Sequence, residues 1–324
     1  MPAPAAQRAA QARLPAAQAP LPDAPASGLW RRLPASWTPY VQLARLDRPV
    51  GWQLLLAPCL SSVCLATIRR LENPNYVLLA LFFVGAVAMR GAGSTFNDLI
   101  DRKIDARVAR TAGRPLPSGR VSPRNAVLFM AAQALVGLAV LLSLNGFAIL
   151  LGLLSLAPVA VYPFLKRFTS WPQAALGLAF SWGALLGWAA QTGGLAAPAY
   201  WLYASGVAWT IGYDTIYAVQ DRRDDVAAGV KSTALLFGAH VQLAVALFYL
   251  ASVLCAEIAL LTAGAGIVAH LGLLGFAAQL LWQIRRLERA DEAEALKLFR
   301  SNGLAGFILF AGLLGENMLF YLVR

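Results

Sequence analysis

Apolar residues run through this chain in long unbroken blocks, and polar residues gather between the blocks. Residues 125–165 contain no Asp, Glu, Lys or Arg, and neither do residues 168–213. A helix that crosses a bilayer needs about 20 apolar residues, so each run holds two crossings with a turn between them. A soluble protein of buried helices does not need runs of this length. The pattern predicts spans at 50–68, 75–92, 125–143, 147–163, 171–191, 199–217, 238–261, 266–283 and 303–322. Leu144-Asn145-Gly146, Thr192-Gly193-Gly194 and Ala263-Gly264-Ala265-Gly266 read as the turns that separate paired spans.

Composition agrees. Of 324 residues, 59% are hydrophobic and 13% charged, where a soluble domain carries about 25% charge. The mean hydropathy is +0.60. A net charge of +11 would suit a nucleic-acid partner if the bases formed a stripe. They lie instead between apolar segments, as flanking charges do in membrane proteins, so the expected partner is the lipid bilayer and no nucleic acid is implied. The segments before the first span and after the second, fourth, sixth and eighth carry 24 of the 27 Lys and Arg, counting Arg90; the other side has only Arg69, Arg70 and Arg324. Basic loops stay cytoplasmic. The amino terminus is therefore expected inside and the carboxyl terminus outside, which needs an odd number of spans and fits nine. The fold class is thus an all-α multi-pass membrane protein.

Two further features bear on organisation. Residues 1–35 hold seven of the 18 prolines and much alanine. Such a segment cannot build a core and is expected to be disordered, ahead of one domain over 36–324. It has no continuous apolar stretch, so it is not a secretory signal. Few bases and one serine speak for a bacterial extension over a mitochondrial transit peptide. The expected site is therefore the bacterial inner membrane, with the mitochondrial inner membrane as the alternative. Cys59, Cys64 and Cys255 make no metal or redox spacing and read as packing residues. His240 and His270 are isolated.

The acidic residues change the picture. Seven of 16 lie in two stretches, Asn97 to Asp105 and Asp214 to Asp225, each continuing a span on its cytoplasmic side. If the helices run on, Asn97, Asp101 and Asp105 share one face at i, i+4 and i+8. Tyr217, Asp221 and Asp225 repeat the spacing, with Asp214 on the same side. Stacked carboxylates repel unless a cation lies between them. Oxygen donors of this kind suit Mg²⁺ with substrate phosphates. Ionisable groups near a membrane interior are functional candidates by default. Acids that balance interfacial arginines would explain one stretch alone; two matching stretches at one face argue for a site. Nearby bases, among them Arg102, Lys103, Arg107, Arg110, Arg114, Arg222, Arg223 and Lys231, suit a phosphate ligand. Arg45 and Asp47 read as a local structural pair.

Five elements follow in order: Arg45-Leu46-Asp47-Arg48-Pro49-Val50-Gly51; Met89-Arg90-Gly91-Ala92-Gly93 leading into Asn97-Asp98-x-x-Asp101-x-x-x-Asp105; Arg110-Thr111 with Arg114-Pro115; Tyr162-x-x-x-Lys166; and Asp214 to Asp225 continuing into Lys231-Ser232-Thr233-Ala234. Over about residues 37–322 the chain resembles the UbiA-type prenyltransferases, closest to the branch that acts on 4-hydroxybenzoate in ubiquinone synthesis. The resemblance implies nine transmembrane helices around a central cavity. It implies a polyprenyl diphosphate and an aromatic acid as substrates. Asn97, Asp101 and Asp105, with Asp221 and Asp225, would hold Mg²⁺ on the diphosphate, and adjacent Asp98 would bind indirectly. Arg110, Tyr162 and Lys166 would steady the leaving diphosphate, with Lys231 as a further phosphate contact and Asp214 orienting the site. Arg90 matches the arginine for the acceptor carboxylate, two turns before Asn97 on the same face.

The rivals are a superfamily member acting on haem, chlorophyllide or a naphthoate, a secondary transporter, and an inactive structural protein. The Tyr217-Ala218-x-x-Asp221 and Lys231-Ser232-Thr233-Ala234 elements favour the hydroxybenzoate branch. A transporter is expected to place its acids near mid-membrane on broken helices, whereas these cluster at one face. A structural protein has no need of stacked carboxylates.

Overall fold

A computed structural model describes residues 29–107, 111–165, 168–222 and 231–322, leaving aside the side chains of 29, 31, 162–164 and 320–322. Among the described residues every regular element is helical. In chain order, after a 3₁₀ turn at Leu29–Arg32, they are α1 Thr38–Leu43, α2 Val50–Arg70, α3 Tyr76–Asp105, α4 Pro123–Leu142, α5 Gly146–Leu154 and α6 Leu156–Leu165. Then come α7 Pro172–Phe180, α8 Gly183–Thr192, α9 Ala197–Gln220, α10 Thr233–Phe237, α11 Val241–Ala263, α12 Ile267–Leu287 and α13 Glu292–Leu322. The glycine turns close helices as expected: Gly193 and Gly264 take the left-handed conformation after α8 and α11, at φ 79° and 73°. Asn145 caps α5 by accepting from the Ala148 amide at 3.0 Å.

Six helices are long and apolar enough to cross a membrane among the described residues: α2, α3, α4, the stretch Thr233–Ala263, α12 and α13. This is a multi-pass membrane protein. The other three expected spans take a different form. The span expected at 147–163 is two helices that meet at Ser155. Pro158 explains the break, because it has no N–H for the Leu154 carbonyl one turn back. The span expected at 171–191 is interrupted at Ser181–Trp182. There the Ser181 side chain lies against Gly206 of α9, where an added Cβ would come within 2.7 Å of Ser181 Oγ. The span expected at 199–217 is one continuous helix, α9, with Asp214 inside it.

The chain divides into two compact units. The first joins the segment ending at Gly51 to Gly85–Ala139. Its core holds Leu43, Leu116, Val121 and Ala126, with Tyr40 and Phe129 edge to face at 5.1 Å. The second unit joins Trp52–Val84 to the chain from Val140 onward, and α9 is its hub, touching α7, α8, α10, α11 and α13. Polar side chains tie this unit together inside: Trp209 Nε1 donates to Asn302 Oδ1 at 2.9 Å, Tyr249 donates to Gln283 Oε1 at 2.6 Å, and Asn302 Nδ2 donates to the same oxygen at 3.2 Å. Satisfied buried networks of this kind fix helix register where lipid offers no hydrophobic drive between helices. Leu243, Leu250, Leu254 and Leu261 of α11 stand exposed along one side, the pattern of a face that meets lipid tails.

Candidate active site

The site is built from the first unit upward. Helix α1 ends in a Schellman motif: the Leu46 amide bonds to the Val41 carbonyl at 3.0 Å and the Arg45 amide to the Gln42 carbonyl at 3.3 Å. This motif wants glycine at its left-handed position. Here the position is Arg45, at φ 56°. A non-glycine residue costs about 1–2 kcal/mol there, so something must hold it.

That something is Asp98. Arg45 Nη2 donates to Asp98 Oδ1 at 2.6 Å, and Asp98 is fully buried on α3. Ser94, one turn earlier on α3, donates through Oγ to the Leu43 carbonyl at 2.7 Å and pins the same junction. Arg114 arrives from the loop after α3. Its Nη1 donates to Asp105 Oδ2 at 2.8 Å and lies 3.5 Å from Asp98 Oδ1. Two carboxylates of the first stretch are thus bridged by two guanidinium groups from separate segments. Burial pulls the Arg45 pKa down to about 10, opposed by Asp98 and reinforced by Arg114, Arg48 and Arg90; the group stays cationic at neutral pH. Asp47 does not pair with Arg45 as expected. Its carboxylate accepts from Arg48 at 3.4 Å. Burial raises the Asp47 pKa, and Arg48 and Arg45 oppose the rise.

The expected helical run-on holds for the first stretch. Helix α3 continues to Asp105, so Asn97, Asp101 and Asp105 lie along one side, and Asp98, seven residues before Asp105, borders that side where it meets the α1 junction. Asp101 and Asp105 are buried and Asn97 is half-buried. Arg90, half-buried and two turns earlier, lies with its guanidinium against Gly51 at the start of α2.

The second stretch ends differently. Helix α9 stops at Gln220, and Asp221 is its C-cap residue, its amide bonded to the Ala218 carbonyl. Asp214 is half-buried on the helix, and Tyr217 stacks against Phe299 at 4.6 Å between centroids. Arg222 donates to the carbonyls of Ala234 and Gly238 at 3.2 and 3.0 Å, closing the end of α10; burial lowers its pKa. Thr215 and Thr233 share a hydroxyl hydrogen bond of 2.6 Å that ties α10 to α9. Lys231 donates to the Phe168 carbonyl at 3.4 Å. Arg110, Lys166, Asp225 and the Tyr162 side chain fall outside the described residues.

A model of the UbiA prenyltransferase family matches residues 55–311. The chain belongs to this family. It is 45% identical over 281 residues, 86% of this chain and 69% of the relative, to the mitochondrial 4-hydroxybenzoate polyprenyltransferase of Arabidopsis thaliana. It is 41% identical over 85% of this chain and 95% of the relative to a 4-hydroxybenzoate octaprenyltransferase of Shewanella woodyi. Its fold is like that of an apo UbiA homologue from Aeropyrum pernix, at TM-score 0.69 and 25% identity over 81% of this chain and 97% of that one. A UbiA homologue from Archaeoglobus fulgidus, solved with GPP and Mg²⁺, has a TM-score of 0.58 at 17% identity over 86% and 99% of the two chains.

For a UbiA chain the donor chemistry of both stretches fits a hard divalent cation, since it is all oxygen. Among the described residues no group of three His, Cys, Asp or Glu is gathered at one point. Mg²⁺ asks for less, because it takes a few carboxylates and completes its shell with water and substrate phosphates. Asp98 adds an opening: its buried Oδ2 accepts no hydrogen bond among the described residues. The reading of the sequence missed Arg45 and Arg114 as the partners of the first stretch, and Gly51 as the seat of Arg90. An arginine where a helix end asks for glycine was the available signal for Arg45.

Proposed function

We propose that this chain transfers a polyprenyl group from polyprenyl diphosphate to the ring of 4-hydroxybenzoate in ubiquinone biosynthesis, releasing diphosphate. The observation that carries the reading is identity over most of the chain to relatives named for this reaction. The carboxylate-lined end of α3 supports it.

In this reading Asn97, Asp101 and Asp105, with Asp221 and Asp225, hold Mg²⁺, and Asp98 acts indirectly. The bound metal supplies Lewis-acid stabilisation of charge on the departing diphosphate. Arg110, Tyr162 and Lys166 donate hydrogen bonds to the same oxygens, with Lys231 as a further cation. Asp214 orients this rim. The allylic carbon–oxygen bond breaks with its electron pair on the diphosphate. The apolar surroundings keep water from the allylic cation. The ring carbon beside the phenol then bonds to the allylic carbon, and its proton passes to a carboxylate of the second stretch or to the departing diphosphate. Arg90 holds the acceptor carboxylate through a charge-assisted, two-pronged bond.

The same reading counts nine crossings around a central cavity, with α5–α6, α7–α8 and α9 added to the six long apolar helices. Both acidic stretches lie on the cytoplasmic side by their flanking charge. The membrane is the bacterial inner membrane, with the mitochondrial inner membrane as the alternative, since relatives of both kinds match.

The test is incubation of purified protein in detergent with polyprenyl diphosphate, Mg²⁺ and a panel of acceptors: 4-hydroxybenzoate, a hydroxynaphthoate, haem and chlorophyllide. Prenylated 4-hydroxybenzoate is expected, with turnover lost on chelation and restored by Mg²⁺. Faster turnover of another acceptor, or turnover indifferent to chelation, overturns the assignment.

A further inference from the structure

We infer that Gly51 is a positioning residue for acceptor recognition: its missing side chain leaves the seat in which the Arg90 guanidinium lies. The inference rests on the reading of Arg90 as the group that holds the acceptor carboxylate.

Gly51 is the second residue of α2 and is buried. Glycine is the poorest helix former after proline. Its use here is not a matter of backbone freedom, because Gly51 is not among the glycines with positive φ. What distinguishes the position is what lies against it. A Cβ at residue 51 would stand 2.9 Å from Arg90 Nη2 and 3.0 Å from Cζ, with Nε closer still. Carbon atoms do not sit at such distances, so an added methyl group and the guanidinium cannot both keep their places.

Which of the two gives way decides the consequence. The atoms that meet the Cβ are the far end of a long flexible side chain, not backbone. Alanine would therefore leave the helices where they are and push the guanidinium off its seat. An arginine that recognises a carboxylate through a planar fork is sensitive to such a shift. Misplacement by about 1 Å is worth up to about 100-fold in an active site.

The experiment compares wild type, Gly51→Ala, Arg90→Ala, Arg90→Lys and the two double variants, each purified full-length in detergent. The readouts are the apparent KM for 4-hydroxybenzoate, the apparent KM for the polyprenyl diphosphate, and the thermal unfolding midpoint. Gly51→Ala is expected to raise the acceptor KM by about 10- to 100-fold. The donor KM should change by less than about twofold, and the midpoint should stay or rise slightly, as propensity favours alanine in a helix. In the Arg90→Ala background the same change should cost nothing further, because its effect runs through the guanidinium. In the Arg90→Lys background it should still raise the acceptor KM, because lysine places Cε and Nζ where arginine has Nε and Cζ, atoms that the added Cβ meets.

Each other result decides against the inference. If Arg90→Ala raises the acceptor KM and Gly51→Ala does not, Arg90 keeps its role and Gly51 loses it. If Arg90→Ala leaves the acceptor KM unchanged, the acceptor anchor itself is wrong and the inference falls with it. A Gly51→Ala effect that persists without Arg90, or strikes donor and acceptor alike, marks a glycine needed only for packing. Failure of Gly51→Ala to fold gives the same answer, since the steric argument moves a side-chain end and not the backbone.

Discussion

The two acidic helix ends share a spacing, and among the described residues they differ in the bonds they show. At the end of α3, Asp98 and Asp105 are bridged by Arg45 and Arg114, so three backbone segments meet at one buried ionic junction. At the end of α9 the helix stops at Gln220, with Asp221 as its C-cap residue, and the arginine that follows donates to the carbonyls of Ala234 and Gly238 in and after α10. Among the described residues, the bonds at the first end are charge pairs between side chains, and those at the second include an arginine bonded to backbone carbonyls. Stacked carboxylates call for a cation. In α3 guanidinium groups supply part of it, which leaves less for a metal to offset. The contrast suggests a division of labour within one short motif. Asp98, bonded to Arg45, supports the architecture, and Asn97 and Asp101 are the positions proposed for substrate chemistry.

The largest effect that tests this contrast is Asp98→Ala. Removing one partner of a buried pair strands the other charge and costs about 3–5 kcal/mol. The unfolding midpoint in detergent should fall sharply. Adding Arg45→Gly should restore much of it, because the stranded charge goes and glycine suits the left-handed position. A midpoint for Asp98→Ala equal to wild type would show that the junction does not support the fold. Next in size are Asp101→Ala and Asp221→Ala. Each is expected to cut turnover by about 10²- to 10³-fold, the scale on which removing one stabilising group at the reacting charge acts, while the protein still inserts and unfolds near wild type. Either variant with near-wild-type rate at saturating Mg²⁺ would take that residue out of the metal site.

Much of this was legible in advance, and the reasons differ by residue. Span positions follow from charge-free runs, because lipid admits no other solution for the backbone; hence α2, α4, α11 and α12 lie close to where the pattern put them. The broken helices were not legible from run length. Pro158 and the Ser181–Gly206 contact depend on local backbone chemistry and on a neighbour far along the chain. The shared face of Asn97, Asp101 and Asp105 needs only helical periodicity. The pairing of Arg45 with Asp98 joins residues 53 apart and required the fold. Asp47, two residues from Arg45, looked the better partner only because sequence shows nearness along the chain and not across it.

The smallest expected effect concerns Arg114, and it asks how far the α3 junction depends on shape as opposed to charge. One nitrogen of Arg114 serves both Asp105, at 2.8 Å, and Asp98, at 3.5 Å. Asp98 has a closer bond to Arg45, so Arg114 matters more to Asp105 than to Asp98. Arg114→Lys keeps a positive charge on the loop but replaces a rigid planar group with a flexible ammonium. A charge-assisted hydrogen bond is worth about 1.5–3 kcal/mol, and retention of the charge should preserve most of it. A loss of about 0.5–1 kcal/mol is therefore expected, well below that of Asp98→Ala. Asp105→Asn should erase the difference between arginine and lysine at 114, since the two changes act on one pair. The measurement is a double-mutant cycle on thermal unfolding, read together with the donor KM. If Arg114→Lys leaves unfolding untouched but raises the donor KM severalfold, Arg114 belongs to the diphosphate site and the junction rests on Arg45 alone.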